Sequence, residues 1–424
     1  MAELYTGARM VDPKNGKDEL LDFLVVDGRI AKVGKQLHVA GAKTHKLDGR
    51  LVIPGVVDMH VHFREPGTGG ETIKSGAAAA LRGGVTTVAA MPNTDPAIDS
   101  VTNLRSVKAL AELAGLARVH FICAMTRARQ GKEIVEVALL KREGAVAFSD
   151  DGAPVADSGV MRLGMLAAAQ AGAPVINHCE EPSLSCGGVM HEGLVSVRKG
   201  LKGQPGLSES VMVGRDLMLA AETGAHYHVA HVSTAGSLEQ VRWARTKGVK
   251  VSAEVAPHHF ILTDEDIPGY DTNYKMNPPL RTKADVQAMI EGLKSGLIEV
   301  IASDHAPHPL DKKSLEFDKA PFGIMGVETI LPLSIKYLVH KGHLSLSKVV
   351  ACLTCNPARV LGLDAGHLGE GAPADFVVID PDKPSTYDVS ASPSLSRNTP
   401  FQGEKFPITL LATFVGGRLL HGKL

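Results

Sequence analysis

Apolar runs rich in Val and Ile recur along this chain, each closing in a polar or Pro/Gly cluster, with amphipathic stretches rich in Ala, Leu and Lys between them. Eight runs have the character of buried strands: 56–63, 85–91, 119–125, 145–151, 174–180, 226–233, 249–257 and 298–307. The segments between them, 73–82 and 159–171 included, read as helices. Strands alternating with helices predict a parallel sheet, and eight such units predict an α/β fold of the closed (β/α)8 TIM-barrel type. The two ends read differently. Residues 1–54 hold short alternating strands around turn signals such as Asp27-Gly28, and 366–424 do the same around Gly416-Gly417. Each end alone has little core. They are therefore expected to pack together as one small discontinuous β-sandwich domain beside a barrel over 55–365.

The polar residues that close the apolar runs change the picture from fold to chemistry. His60 and His62 end the first run, Asp151 the fourth, His178 the fifth, His231 the sixth and Asp304 the eighth. The carboxyl ends of barrel strands converge on one mouth, so these six would meet in one place. On a strand, residues i and i+2 share a face, so His60 and His62 can reach one metal ion. Four imidazoles and two carboxylates suit Zn²⁺ or a similar divalent ion, and they exceed the three protein ligands that one catalytic zinc commonly takes. Two ions sharing a carboxylate and a hydroxide account for the number. Their net charge of about +1 favours an anionic substrate.

Other histidines invite plainer readings. His226 and His228 alternate with His231 and fit core positions, and His258 and His259 stand just past the seventh run. Asp150 competes with Asp151, since adjacent strand residues face opposite sides. A charged stretch at 310–319, with Lys312 and Lys313, reads as a solvated loop or as a lid over the mouth.

Composition narrows the class. The chain has 424 residues, and its 45 Lys+Arg against 46 Asp+Glu give no electrostatic case for nucleic acid or an anionic membrane. No run is long enough to span a bilayer, and no basic region followed by an apolar stretch opens the chain, so a cytoplasmic protein is expected. Five cysteines, an odd and sparse set, fit reduced thiols; Cys352 and Cys355 have zinc-knuckle spacing but lack a second pair.

The motifs His60-Val61-His62-Phe63-Arg64-Glu65-Pro66-Gly67, Met91-Pro92-Asn93-Thr94, Phe148-Ser149-Asp150-Asp151-Gly152, Asn177-His178-Cys179-Glu180, His231-Val232-Ser233-Thr234, Met276-Asn277-Pro278-Pro279-Leu280-Arg281 and Ser303-Asp304-His305-Ala306-Pro307-His308 stand in this order. Pro321-Phe322-Gly323-Ile324 and Asn356-Pro357-Ala358-Arg359 follow. Together they resemble the cyclic amidohydrolase superfamily, and within it the class I dihydroorotases of bacteria, over essentially the whole chain. The resemblance implies one zinc on His60, His62 and Asp304, a second on His178 and His231, and Asp151 bridging where many relatives use a carbamylated lysine. It implies substrate contacts from His62, Arg64, Asn93, Asn277 and His308 and from the backbone at Phe322 and Gly323. Arg64 would clamp the ring carboxylate, His308 would add a donor, and the two asparagines would match a cyclic ureide edge. The activity implied is reversible closure of N-carbamoyl-L-aspartate to (S)-dihydroorotate and water, the third step of de novo pyrimidine synthesis. A metal-bridging hydroxide would be the nucleophile and Asp304 the general acid/base. Hydantoinase or allantoinase activity is the rival within the fold, disfavoured by Arg64 and Asp151. A silent partner of aspartate carbamoyltransferase is the rival outside it, disfavoured because all six ligands are kept. A homodimer, and partnering with that transferase alongside activity, both remain compatible.

Overall fold

The computed structural model describes residues 2–67 and 69–424. Parallel strands Val56–Val61, Val85–Ala90 and Arg118–Phe121 form one arc, and Val175–Asn177, Tyr227–Val229, Val251–Val255 and Val300–Ile301 form another. Parallel bridges from Phe148 to Cys123 and to Val175 join the arcs on one side, and a bridge from Val61 to His305 joins them on the other. The ring is closed, with eight positions. Helices such as Ile73–Arg82 and Leu207–Thr223 surround it, their apolar faces packed on the strands.

One difference from the sequence reading has a physical cause. The fourth position is a single bridging residue, Phe148, where a strand over 145–151 was expected. The Asp150 carboxylate accepts from the backbone amides of Met125 (2.8 Å) and Thr126 (3.0 Å), so a side chain takes donors that a longer ladder would use. Around Gly55 the chain passes from one sheet to the other. Leu51–Pro54 pairs with Ala2–Asp12 and with Phe376–Asp380, while Val56 opens the barrel. Gly55 sits at the crossing, and a Cβ there would stand 2.0 Å from Thr86 Oγ1. Only glycine fits that approach.

The ends of the chain pair into one eight-stranded sheet, in which Leu51–Pro54 links the N-terminal strands to Phe376–Asp380, Thr409–Val415 and Arg418–Gly422. Three strand spacings, roughly 14 Å in a flat sheet, separate Tyr5 from Phe414, yet their rings lie 5.7 Å apart. The sheet thus folds over an aromatic core of Tyr5, Phe23, Phe376 and Phe414. Asp27 and Gly28, and Gly416 and Gly417, have positive φ in two-residue hairpin loops, the mirror-image turns that match strand twist. Arg118 clamps Asp375 through two contacts (2.7 and 3.0 Å), fastening barrel to sheet. Among the described residues no helix is long and apolar enough to cross a membrane.

Candidate active site

Where the barrel strands end, the backbone turns sharply. His231 and Asp304 follow their strands with φ of 28° and 48°, and Arg64 follows the first with 57°. Non-glycine residues rarely occupy this region, and strained backbone of this kind persists where surrounding structure holds it. Here it aims side chains into a cavity of about 320 Å³. His62, Arg64, Asn93, Asp151, His178, His231, Asn277, Asp304, His308, Phe322 and Gly323 all line it, and His60 lies fully buried among the same groups.

The six residues expected to hold metal converge. Ligand atoms of His60, His62 and Asp151 lie within 4.8 Å of one another, as do those of Asp151, His178 and His231, so Asp151 belongs to both groups. Asp304 Oδ1 stands 3.1 Å from His62 Nε2 and 3.5 Å from His60 Nε2. Asp150 points away, toward Thr126, and of the two aspartates it is Asp151 that stands among the histidines.

The imidazoles are oriented from behind. His60 Nδ1 lies 2.6 Å from Glu254 Oε1, His62 Nδ1 2.9 Å from Asn93 Oδ1, and His178 Nε2 3.0 Å from Glu180 Oε2. Each of these oxygens accepts the ring N–H, which leaves the opposite nitrogen's lone pair facing the cluster. That is the tautomer a metal requires. His60 Nε2 and Asp151 Oδ1 are buried with no hydrogen-bond partner, and His178 Nδ1 and His231 Nε2 face each other at 2.9 Å. Buried polar atoms left this way need a further partner. A divalent cation among nitrogen and carboxylate donors would supply it, so the residues fit a metal-binding site.

Electrostatics agree. Burial opposes charge on His60, but the Glu254 and Asp151 carboxylates override it and hold the imidazole well above its ordinary value. Burial likewise works against Asp151 and Asp304, and the neighbouring imidazoles pull both well below the carboxylate range. Without a cation, protons on histidine balance the carboxylates; a bound metal displaces those protons.

The remaining sequence-predicted contacts lie on the cavity wall with their polar atoms already divided. Asn93 spends its oxygen on His62, leaving its amide group toward the cavity. Asn277 donates to Glu180 (2.6 Å), and its Oδ1 has no partner. Arg64 Nε donates to Pro307 O at 3.3 Å, and burial lowers its guanidinium to about 10. His308 donates Nε2–H to Phe322 O at 2.8 Å, and burial, then Arg64, holds it neutral at about 3. The same Nε2 lies 3.3 Å from Arg64 Nη2, so His308 stands beside the guanidinium on the cavity wall.

Other histidines stand outside the cluster. His259 donates to Pro278 O (2.9 Å), and His258 packs on it with rings 4.3 Å apart. His228 is buried beside Glu254, and His226 hydrogen-bonds Ser252. Cys352 and Cys355 join no metal-ligating group among the described residues. The sequence reading missed Glu180 and Glu254. Glu180 stands two residues past His178, and Glu254 is a carboxylate inside an apolar run; both were signals of a buried charge with a partner.

Similarity to known proteins decides the family. The chain is 50% identical over 421 residues to the dihydroorotase of Pelotomaculum thermopropionicum, covering 99% of this chain and 98% of that one. The chain belongs to the dihydroorotase family. Dihydroorotases of Syntrophotalea carbinolica (45% over 422 residues, 99% of each chain) and Solibacter usitatus (46% over 420 residues, 99% and 98%) are similar over the same span. Residues 49–237 match the family described as dihydro-orotase-like, and 326–421 match an amidohydrolase family. Among solved structures, L-hydantoinase (dihydropyrimidinase) of Arthrobacter aurescens superposes with a TM-score of 0.89 at 26% identity, covering 100% of this chain and 97% of that one. This dihydroorotase-family chain therefore shares its barrel with enzymes that carry the hydantoinase name.

Proposed function

We propose that this protein is a dihydroorotase that interconverts N-carbamoyl-L-aspartate and (S)-dihydroorotate. Identity of 43–50% over nearly the full length of several curated dihydroorotases carries the reading. The cavity supports it: an arginine and two half-used asparagines share one small space with five of the six potential metal ligands, and His60 is buried beside them.

On this reading His60, His62 and Asp304 would hold one Zn²⁺, His178 and His231 the other, and Asp151 would be shared between them. A barrel over 55–365 carries the site, and 1–54 with 366–424 form the companion domain. The ions, when bound, supply an activated water and polarise the ring carbonyl. The chain's own residues do the rest. Arg64 clamps the ring carboxylate through its planar fork, which a lysine cannot reproduce. The Asn93 amide group donates and Asn277 Oδ1 accepts, so the pair matches the carbonyl and N–H of a cyclic ureide. Asp304 takes the proton of the attacking water and hands it to the departing ring nitrogen; closure begins with Asp304 protonated.

Elemental analysis of the purified protein, paired with loss of ureide absorbance on dihydroorotate, tests this. About two zinc per chain with turnover is the expected result. One zinc with turnover would remove Asp151 from its bridging role. Metal without turnover, but with hydrolysis of hydantoin or allantoin, would move the assignment to those enzymes, which the solved-structure likeness keeps as the second reading.

A further inference from the structure

The charged stretch 310–319 holds a residue that is not solvated. Lys313 closes the short helix Leu310–Lys313 and is 5% exposed; Lys275, in the turn before Met276, is 2% exposed. Among the described residues neither ammonium has a carboxylate at ion-pair distance. Lys313 Nζ instead donates to the carbonyls of Pro321 (3.1 Å), Gly323 (3.1 Å) and Lys275 (3.3 Å), using all three of its hydrogens. Lys275 Nζ donates to those of Ala320 (2.6 Å) and Asp318 (3.2 Å) and lies 4.6 Å from the centre of the Phe322 ring. His308 takes the Phe322 carbonyl, and Asn398 Nδ2 also takes that of Gly323 (3.0 Å).

Every carbonyl from Ala320 to Gly323 therefore points to a side-chain donor, and Pro321, Phe322 and Gly323 form a wall of the active-site cavity. Burying an ammonium without a counter-ion is costly, and an apolar side chain would fill the same space more cheaply. What the lysines add is charge behind the wall and a fixed direction for its dipoles.

The geometry points to Lys313 and Lys275 as positioning residues that adapt this wall to a substrate bearing a carboxylate. They hold the wall's carbonyls in their own direction and set a positive field behind the surface that an anionic ring meets. This rests on the reading of the cavity as a dihydroorotate site. The field is sensitive to pH. Burial lowers Lys313 to about 7 and Lys275 to about 8; the Lys275 ammonium adds to the lowering at Lys313, while Asp271 works the other way on Lys313 and Asp318 on Lys275. A lysine is charged below its own value and neutral above it, so the field fades as pH rises through 7 and 8. His308, at about 3, and Arg64, at about 10, keep their charge states across that window.

The test is KM and kcat for dihydroorotate from pH 6 to 9 on the zinc-loaded protein, Lys313→Met and Lys275→Met, with zinc content recorded for each. In the unmutated protein KM should rise about tenfold across the window, the scale of one charge felt through a partly polar medium. Lys313→Met should start near that raised KM, lose most of the climb, and keep its zinc and kcat within about threefold. A variant with the original KM and climb overturns the proposal, as does a kcat that falls in step with kcat/KM. Should neither variant fold, lysine ¹³Cε NMR of the unmutated protein decides: a resonance titrating near 7 supports the proposal, and all resonances titrating near 10 overturn it. If the unmutated holoenzyme fails on dihydroorotate, the functional reading falls and this proposal falls with it; if it turns over and only the variant arm disagrees, the proposal falls alone.

Discussion

Asp304 has three features that no other residue of the site combines. It closes a barrel strand in left-handed backbone, it lies within 3.5 Å of two candidate metal-ligating nitrogens, and it lines the cavity where the ring must sit. A carboxylate so placed can hold metal and still move a proton. Asparagine keeps the shape and loses the proton-carrying role. Asp304→Asn should therefore lower kcat by at least about 100-fold in both directions, the scale of general acid–base catalysis. The opposed pH profiles of closure and hydrolysis, one favoured at lower and the other at higher pH, should vanish with it. Intact profiles and intact activity in that variant would remove Asp304 from the proton path.

At the scale of elements, the barrel's interior ladder does more than close a ring. Residues 252 and 254 alternate inward on Val251–Val255, where Ser252 meets His226 and His228 and Glu254 meets His60. Glu254 Oε1 also accepts from the backbone amide of His231 at 3.3 Å, so one buried carboxylate touches both metal-ligating groups. In Glu254→Gln the amide would present a donor or a weaker acceptor to His60, against the tautomer a metal requires. Zinc affinity should fall roughly 10- to 100-fold, as for other outer partners of ligating histidines, measured by retention against a chelator. The melting temperature of the metal-free protein should change little. Retention equal to that of the unmutated protein would reduce Glu254 to a packing role. The convergence of the candidate ligands could be anticipated in the sequence because strand ends converge in a barrel, a rule that needs only the strand count. Their supports could not, because Glu254 and Lys313 gain meaning from segments dozens of residues away. Helix and strand identity read well for the same local reason. The fourth strand was overread because its ladder partner is replaced by a side chain, Asp150, which periodicity does not register.

The whole molecule joins these scales through closure. Candidate ligands come from five of the eight strand positions, so an ion bound to them would cross-link the ring at its mouth, while Val61 to His305 and Phe148 to its two neighbours close the ring through isolated bridges and a few backbone hydrogen bonds beside them. Such thin seams make the mouth depend on what it binds. The eight-stranded sheet does not, since its core of stacked aromatics and its Arg118–Asp375 clamp involve no ligand residue. Stripping the metal should therefore lower the melting temperature by a few degrees and leave the far-ultraviolet spectrum of the folded state nearly unchanged. A ligand present at 100 times its Kd contributes about 2.7 kcal/mol to the folded state, and a chain of this size shifts by roughly 2 °C or less for each kcal/mol. Hydrogen exchange would locate the loss. Protection should drop at 300–308 and 145–151, where the seams lie, and hold at 2–26 and 376–415. Uniform loss across both regions would mean that barrel and sheet unfold as one unit and that the ion stabilises the chain globally rather than through its mouth.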